Sequence, residues 1–122
     1  MNFLHKPPLK DLPGLKAKTS DVGRFYTRLD TNESFPSITT VLGAQSKQGI
    51  LDWKKRVGED VANHISRQAA NRGTHVHNMV EDHLNNLEID DKEKYKNAFL
   101  PRMMFNVLKP ELSKINNIRL QE

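Results

Sequence analysis

The sequence predicts an α+β domain, mostly helical, in which an N-terminal β-hairpin is followed by three to four helices and a terminal strand. Three observations predict it. Two runs rich in aromatic and β-branched residues, 24–29 and 35–42, flank the polar cluster Asp30-Thr31-Asn32-Glu33-Ser34. Such runs favour strands, and the cluster between them favours a turn. From Ile50 onward the apolar residues switch to a spacing of three to four, the helical period. The closing residues, from Ile118 to Glu122, alternate again, as a strand does.

Residues 1–23 read as an extended arm. Pro7, Pro8, Pro13 and Gly14 break regular structure, and Leu9, Leu12 and Leu15 are spaced to pin the arm to a surface. A disordered tail is the alternative. The hairpin is expected to end at Gly43, with Pro36 at a strand start or on an edge, since it cannot donate to a ladder. Thr39 onward is also compatible with a helical turn. Residues 24–122 form the single domain that 122 residues allow.

The first long helix opens at Ile50, Leu51 and Trp53. Val57, Val61, Ile65 and Ala69 continue its stripe at steps of four, predicting about 13 residues of amphipathic helix. Asn71-Arg72-Gly73 is expected to interrupt it, because Asn and Gly tolerate left-handed backbone. Thr74 is then placed to cap a second helix to about Asn86, with Val76, Val80, Leu84 and Leu87 as its stripe. Asp90 and Glu93 resemble a capping box for a third helix through Tyr95 and Phe99. Pro101 and Pro110 are expected to kink or restart it, and Met103, Met104, Phe105, Val107 and Leu108 offer another apolar surface.

Nineteen Lys and Arg against 15 acidic residues give a net charge of +4, which suits a polyanionic partner such as nucleic acid. The charges are dispersed rather than blocked, so the balance alone does not specify one. Without cysteine, neither disulfides nor thiolate metal sites are available. No apolar run approaches the ~18 residues of a membrane span, and the first residues lack a secretory stretch. A soluble, cytoplasmic protein is expected, in the host cytoplasm if phage-encoded, with no membrane partner.

The segment richest in chemistry is Arg72-Gly73-Thr74-His75-Val76-His77-Asn78-Met79-Val80-Glu81-Asp82-His83. If Val76, Val80 and Leu87 mark the buried direction, His77 points roughly 80° and Glu81 roughly 120° from it at ~100° per residue. That would leave an imidazole and a carboxylate half-buried, one turn apart, where a hard divalent cation can be held. His75 falls on the far side with Asn78 and Asp82, and His83 near the buried direction as a packed core histidine. The plain alternative is a solvated helix pair worth ~0.2–0.5 kcal/mol. The spacing does not match the His-Glu-x-x-His zinc signature.

Three stretches, in order, resemble phage exonucleases of the RecB-like PD-(D/E)XK superfamily, a group that also holds the mitochondrial genome maintenance exonuclease. Phe35-Pro36-Ser37-Ile38-Thr39-Thr40-Val41-Leu42 is similar to its Pro-Ser-Val-Thr-Thr-Val-Leu segment. Leu51-Asp52-Trp53-Lys54-Lys55-Arg56-Val57-Gly58 is similar to its Trp-containing helix. Arg72-Gly73-Thr74-His75-Val76-His77 with Glu81 is similar to its Arg-Gly-Thr-x-x-His-x-x-x-Glu motif. The resemblance implies an N-terminal portion of that nuclease fold, itself incomplete here.

It implies a catalytic role for His77 as the metal-associated residue, with Glu81 beside it and Mg2+ or Mn2+ as the ion of a completed site. It implies that Arg72 and Thr74 lie near the DNA and that Ser37, Thr39 and Thr40 approach the strand being degraded. Packing explains the threonines equally well, and Trp53 reads as core rather than as a stacking platform. In the family the strand that corresponds to Ile118–Glu122 leads into a hairpin with an Asp and an Asp/Glu-x-Lys triplet, and later into a Gln-x-x-x-Tyr helix; none of these can be placed after that strand here.

The expectation is therefore a nuclease subunit or N-terminal part, inactive alone, completed by a second polypeptide that pairs with the strand at 115–122. A non-catalytic DNA-binding or regulatory module is the second reading, using Arg24, Lys54, Lys55, Arg56, Arg67 and Arg72. The third is a helical protein that forms a homo-oligomer through Met103-Met104-Phe105.

Overall fold

A computed structural model describes residues 2–121. Met1 and Glu122, the outermost residues of the expected arm and terminal strand, lie outside the described residues. The fold is α+β, with a three-stranded antiparallel sheet and three α-helices, about 52% helical, as the sequence predicts at that level. Contacts divide the chain into two compact units. One is Lys10–Ala62, and the other joins the N-terminal residues through Leu9 to the chain from Asn63 onward.

The first unit is built on strands β1 (Leu15–Ser20), β2 (Gly23–Arg28) and β3 (Ser34–Pro36), in the order β1-β2-β3. The expected hairpin is β2–β3, with Tyr26 opposite Phe35. Asn32, in left-handed backbone, closes its turn by donating from its N–H to the Arg28 carbonyl at 2.9 Å. Pro36 sits on the edge strand, where its missing N–H costs no ladder bond. Two expectations are corrected here. Part of the arm is strand, because Leu15–Ser20 pairs along the whole of β2. The second hairpin strand is shorter than expected, because Ser37 caps a helix and ends it.

That helix is α1 (Ile38–Val57). Ser37 Oγ accepts from the Thr40 N–H at 3.1 Å, which satisfies one of the donors that every helix start leaves open. Thr40 Oγ1 accepts from the Arg24 N–H at 2.9 Å and donates to the Arg24 carbonyl at 3.2 Å, tying the first helical turn to β2. The approach is close enough that a Cβ on Gly23 (φ +128°) would stand 2.4 Å from Thr40 Cγ2. The helix continues through Gly43, where the hairpin is expected to end, and through Gly49, and it ends at Gly58 in left-handed backbone (φ 93°). Lys54, Lys55 and Arg56 in its last turn face the negative end of the helix dipole. None of its residues is buried, so Val41, Leu42, Ile50 and Leu51 remain exposed.

Helix α2 (Glu59–Leu84) begins directly after Gly58, whose carbonyl accepts from the Ala62 N–H at 3.0 Å. Glu59 and Asp60 occupy its first turn, the end that favours negative charge. The expected interruption at Asn71-Arg72-Gly73 does not occur, and Thr74 caps nothing; the break falls at Gly58 instead. An isolated Gly in a long helix costs about 1 kcal/mol relative to Ala, too little to end 26 residues of hydrogen-bonded helix.

The second unit is centred on Met79, Ile89, Tyr95 and Phe105, with Val80, Ala98 and Leu112 against them. The third helix expected from Asp90 is reduced to a single 3-10 turn at Glu93–Tyr95, and α3 runs over Phe99–Leu112. Pro101 falls in the first turn of α3, where its missing N–H has no helical acceptor to lose. Pro110 lies inside α3, which stops two residues later. Phe105 turns into the core, while Met103, Met104, Val107 and Leu108 of the expected apolar surface stay exposed.

The N-terminal arm is held, but not by its leucines, which are exposed. Phe3 is buried, its N–H donating to Asn86 Oδ1 at 2.6 Å and its carbonyl accepting from Asn86 Nδ2 at 2.9 Å. Further along, the Lys6 N–H donates to the Ile118 carbonyl and the Ile118 N–H to the Leu4 carbonyl, both at 2.8 Å. The terminal strand expected at 115–122 is thereby corrected to one parallel bridge, His5 to Ile118, whose backbone groups already have partners within the chain.

Candidate functional site

Helix α2 positions the sequence motif, and its buried side decides what that motif offers. Met79 is fully buried against Tyr95 and Phe105, and Asp82 and His83 flank it. At ~100° per residue, His77 and Glu81 each stand about 160° from Met79. Both are exposed, not half-buried as expected, because Met79 rather than Val76 and Leu87 marks the centre of the core face. Neither side chain has a hydrogen bond or ion pair among the described residues. Thr74 is exposed on the same side of the helix. Arg72 is half-buried on the opposite side, so the motif divides between two faces.

Ser37, Thr39 and Thr40 belong to the other unit. Their hydroxyls are engaged locally: Ser37 Oγ lies 3.1 Å from Thr39 Oγ1 and 2.9 Å from Thr40 Oγ1. Helix capping and the junction with β2 therefore account for these residues. Trp53 is half-buried on α1.

One imidazole and one carboxylate do not make a divalent-cation site. A hard cation takes about six or more ligands, mostly oxygen. Among the described residues no group of three His, Asp or Glu side chains is arranged to hold a metal. His77 and Glu81 offer two donors and no more.

Comparison with known protein families, with curated proteins and with solved structures returns no match. Nor, among the described residues, is any helix long and apolar enough to cross a membrane.

The most strongly perturbed group was not singled out by its sequence. Asp82 Oδ2 accepts from the Tyr95 hydroxyl at 2.7 Å, Lys94 Nζ at 2.9 Å and Lys92 Nζ at 3.1 Å. Burial pushes this carboxyl up, but the bonds from Tyr95, Lys94 and Lys92 outweigh it and bring it down to about 2. The Tyr95 phenol shifts the other way, raised first by burial and then by donating to Asp82. A tyrosine 13 residues beyond an aspartate, across a non-helical connection, leaves no local periodicity by which the pair is read.

His83, expected as a packed core histidine, is half-buried beside the core. Its ring meets Phe3 and Phe105 edge-to-face, with centroids 5.1 and 5.4 Å away. Burial first, and Lys109 second, hold it below the usual histidine range.

Proposed function

We propose that this chain is the N-terminal helical part, or a subunit, of a RecB-like, metal-dependent DNA exonuclease that hydrolyses phosphodiester bonds. An Asp and an Asp/Glu-x-Lys set from outside this sequence join His77 and Glu81 to complete the site, which then takes Mg2+ or Mn2+. The three motif stretches, in family order, support this reading. The observation that carries it is the placement of His77 and Glu81. Core packing consumes neither side chain, and the two stand one turn apart on an exposed side of a long helix. That placement leaves both donors free to meet a metal and further ligands, whereas a core pair would be buried and hydrogen-bonded. Among the described residues no three His, Asp or Glu side chains are arranged to hold a metal, so the role of this chain is to present the imidazole and its neighbouring carboxylate.

The test is to purify the chain with whatever polypeptide accompanies it in its source cells and to follow linear duplex DNA with Mg2+ or Mn2+. The expected result is no degradation by the isolated chain and metal-dependent degradation by the assembly. Degradation by the isolated chain overturns the division of the site. An assembly that leaves DNA intact overturns the nuclease reading.

The second reading, a non-catalytic DNA-binding module, draws on a specific observation at the end of α1. Lys54, Lys55 and Arg56 occupy one helical turn, and none of them forms an ion pair among the described residues. Its signature is affinity for duplex DNA that falls linearly in log–log terms with salt.

A further inference from the structure

The second unit contains a groove that His77 and Glu81 do not line. Gln68, Asn71, Arg72 and His75 of α2 form one wall, and Lys94, Asn97 and the start of α3 at Phe99–Pro101 form the other. The groove has a volume of about 570 Å³, within the ~300–1,000 Å³ range of small-molecule sites. His77 and Glu81 are not part of it, because they occupy the opposite side of α2.

Its chemistry is one-sided. No acidic residue lines it, while Arg72, Lys94 and His75 do. Arg72 has no ion pair among the described residues. The ammonium of Lys94 touches Asp82, but that single carboxylate also serves Lys92, so the cluster keeps a net positive charge. Against these cations stands Phe99, 75% exposed at the first position of α3, with Leu100 beside it. An aromatic ring left this open gains nothing from the fold. The amides of Gln68, Asn71 and Asn97 add donors and acceptors between the cations and the ring.

We infer that this groove binds single-stranded DNA, one nucleotide at a time, with Phe99 stacking on a base and Arg72 and Lys94 meeting the flanking phosphates. Stacking surface and cations side by side are what a single strand requires, since its bases are exposed while its backbone is anionic. An acidic peptide would satisfy the cations and leave Phe99 without a role. The choice of DNA over other polynucleotides rests on the exonuclease reading, for which the groove would hold a separated strand on the side of α2 away from His77.

The experiment is fluorescence anisotropy with the full chain and two labelled 12-mers, one oligothymidylate and one abasic deoxyribose-phosphate strand. Phe99→Ala is expected to weaken oligothymidylate binding roughly fivefold or more, with no change on the abasic strand. Arg72→Ala is expected to weaken both and to flatten the salt dependence. An unchanged far-UV circular dichroism spectrum checks that each variant is folded, and the exposed ring of Phe99 makes its removal mild for the fold. Oligothymidylate binding indifferent to Phe99→Ala overturns the proposal. So does equal weakening on both strands, and so does an oligoglutamate peptide that binds as tightly with the same dependence on Phe99. Failure here leaves His77-dependent cleavage untouched, and failure of cleavage leaves this binding measurable, so the two readings fall separately.

Discussion

The Tyr95 hydroxyl donates to Asp82 Oδ2 at 2.7 Å, joining the 3-10 turn at Glu93–Tyr95 to the far end of α2. Tyr95 is 1% exposed, and its ring is part of the core around Met79. The bond thus fixes a short, otherwise weak turn by placing its one large side chain. Tyr95→Phe keeps the ring and removes the donor. A hydrogen bond to a charged group contributes about 1.5–3 kcal/mol, and the two lysines that remain on Asp82 place the loss near the lower end. Urea denaturation reads it as a lower midpoint at unchanged slope.

Acid should destabilise the protein in two separate steps. His83 is held below its usual value, so the folded state resists the proton that the unfolded state accepts. Its contribution is complete above the ordinary histidine value of 6.5 and is lost as pH falls below that. Asp82 is held at about 2 against 3.8, so its contribution is complete above 3.8 and is lost as pH falls toward about 2. Allowing for the solvent that reaches the two lysines, the second step is worth about 1 kcal/mol. Thermal unfolding followed from pH 8 to pH 2 checks both, and Asp82→Asn should remove only the lower step.

Two glycines should respond to alanine in opposite directions. Gly73 lies inside α2, and a Cβ added there would have nothing within 4 Å, so Gly73→Ala should raise stability by about 0.5–1 kcal/mol. Had the chain left the helix at Gly73 in left-handed backbone, the same substitution would lower it. Gly23→Ala should lower stability by about 2 kcal/mol or more, because it combines a φ of +128° with a clash against Thr40. Calorimetry on the two variants gives opposite signs.

Asn86 has a left-handed φ of 63° and uses both ends of its amide on Phe3. Asn86→Gly keeps the backbone freedom and loses the two hydrogen bonds, whereas Asn86→Ala loses both advantages. Each should destabilise by about 1 kcal/mol or more, with Ala the worse of the two. Hydrogen exchange at the Phe3 and Lys6 amides should rise in both, since Asn86 anchors the start of the arm.

What the sequence discloses about this fold follows the range of the forces involved. The hairpin at β2–β3 and the helical period of α2 are local, and both are read directly, but the buried face of α2 is not, since Ala62 and Met79 are buried while Val61 and Ile65 are exposed. Gly58 and Gly73 carry the same local signal, so which of them ends a helix depends on packing that composition does not reveal. Phe3 and Tyr95 are placed by partners 83 and 13 residues away, beyond any periodic pattern. The same limit applies to the candidate site. The spacing of His77 and Glu81 correctly puts them on one side of a helix, but their exposure follows from Met79 taking the core position. Ser37 and Thr40 look like ligand-facing hydroxyls in sequence, and the structure shows them occupied by the α1 cap.

The central claim is tested most directly by the rate at which the assembled protein degrades linear duplex DNA with Mn2+, compared between the native chain and His77→Ala. His77 is exposed and unbonded among the described residues, so the variant should assemble and unfold like the native chain. The account predicts a fall in rate of about 100-fold or more, as expected when a metal-site donor is removed. An undiminished rate from a correctly assembled His77→Ala protein would contradict it.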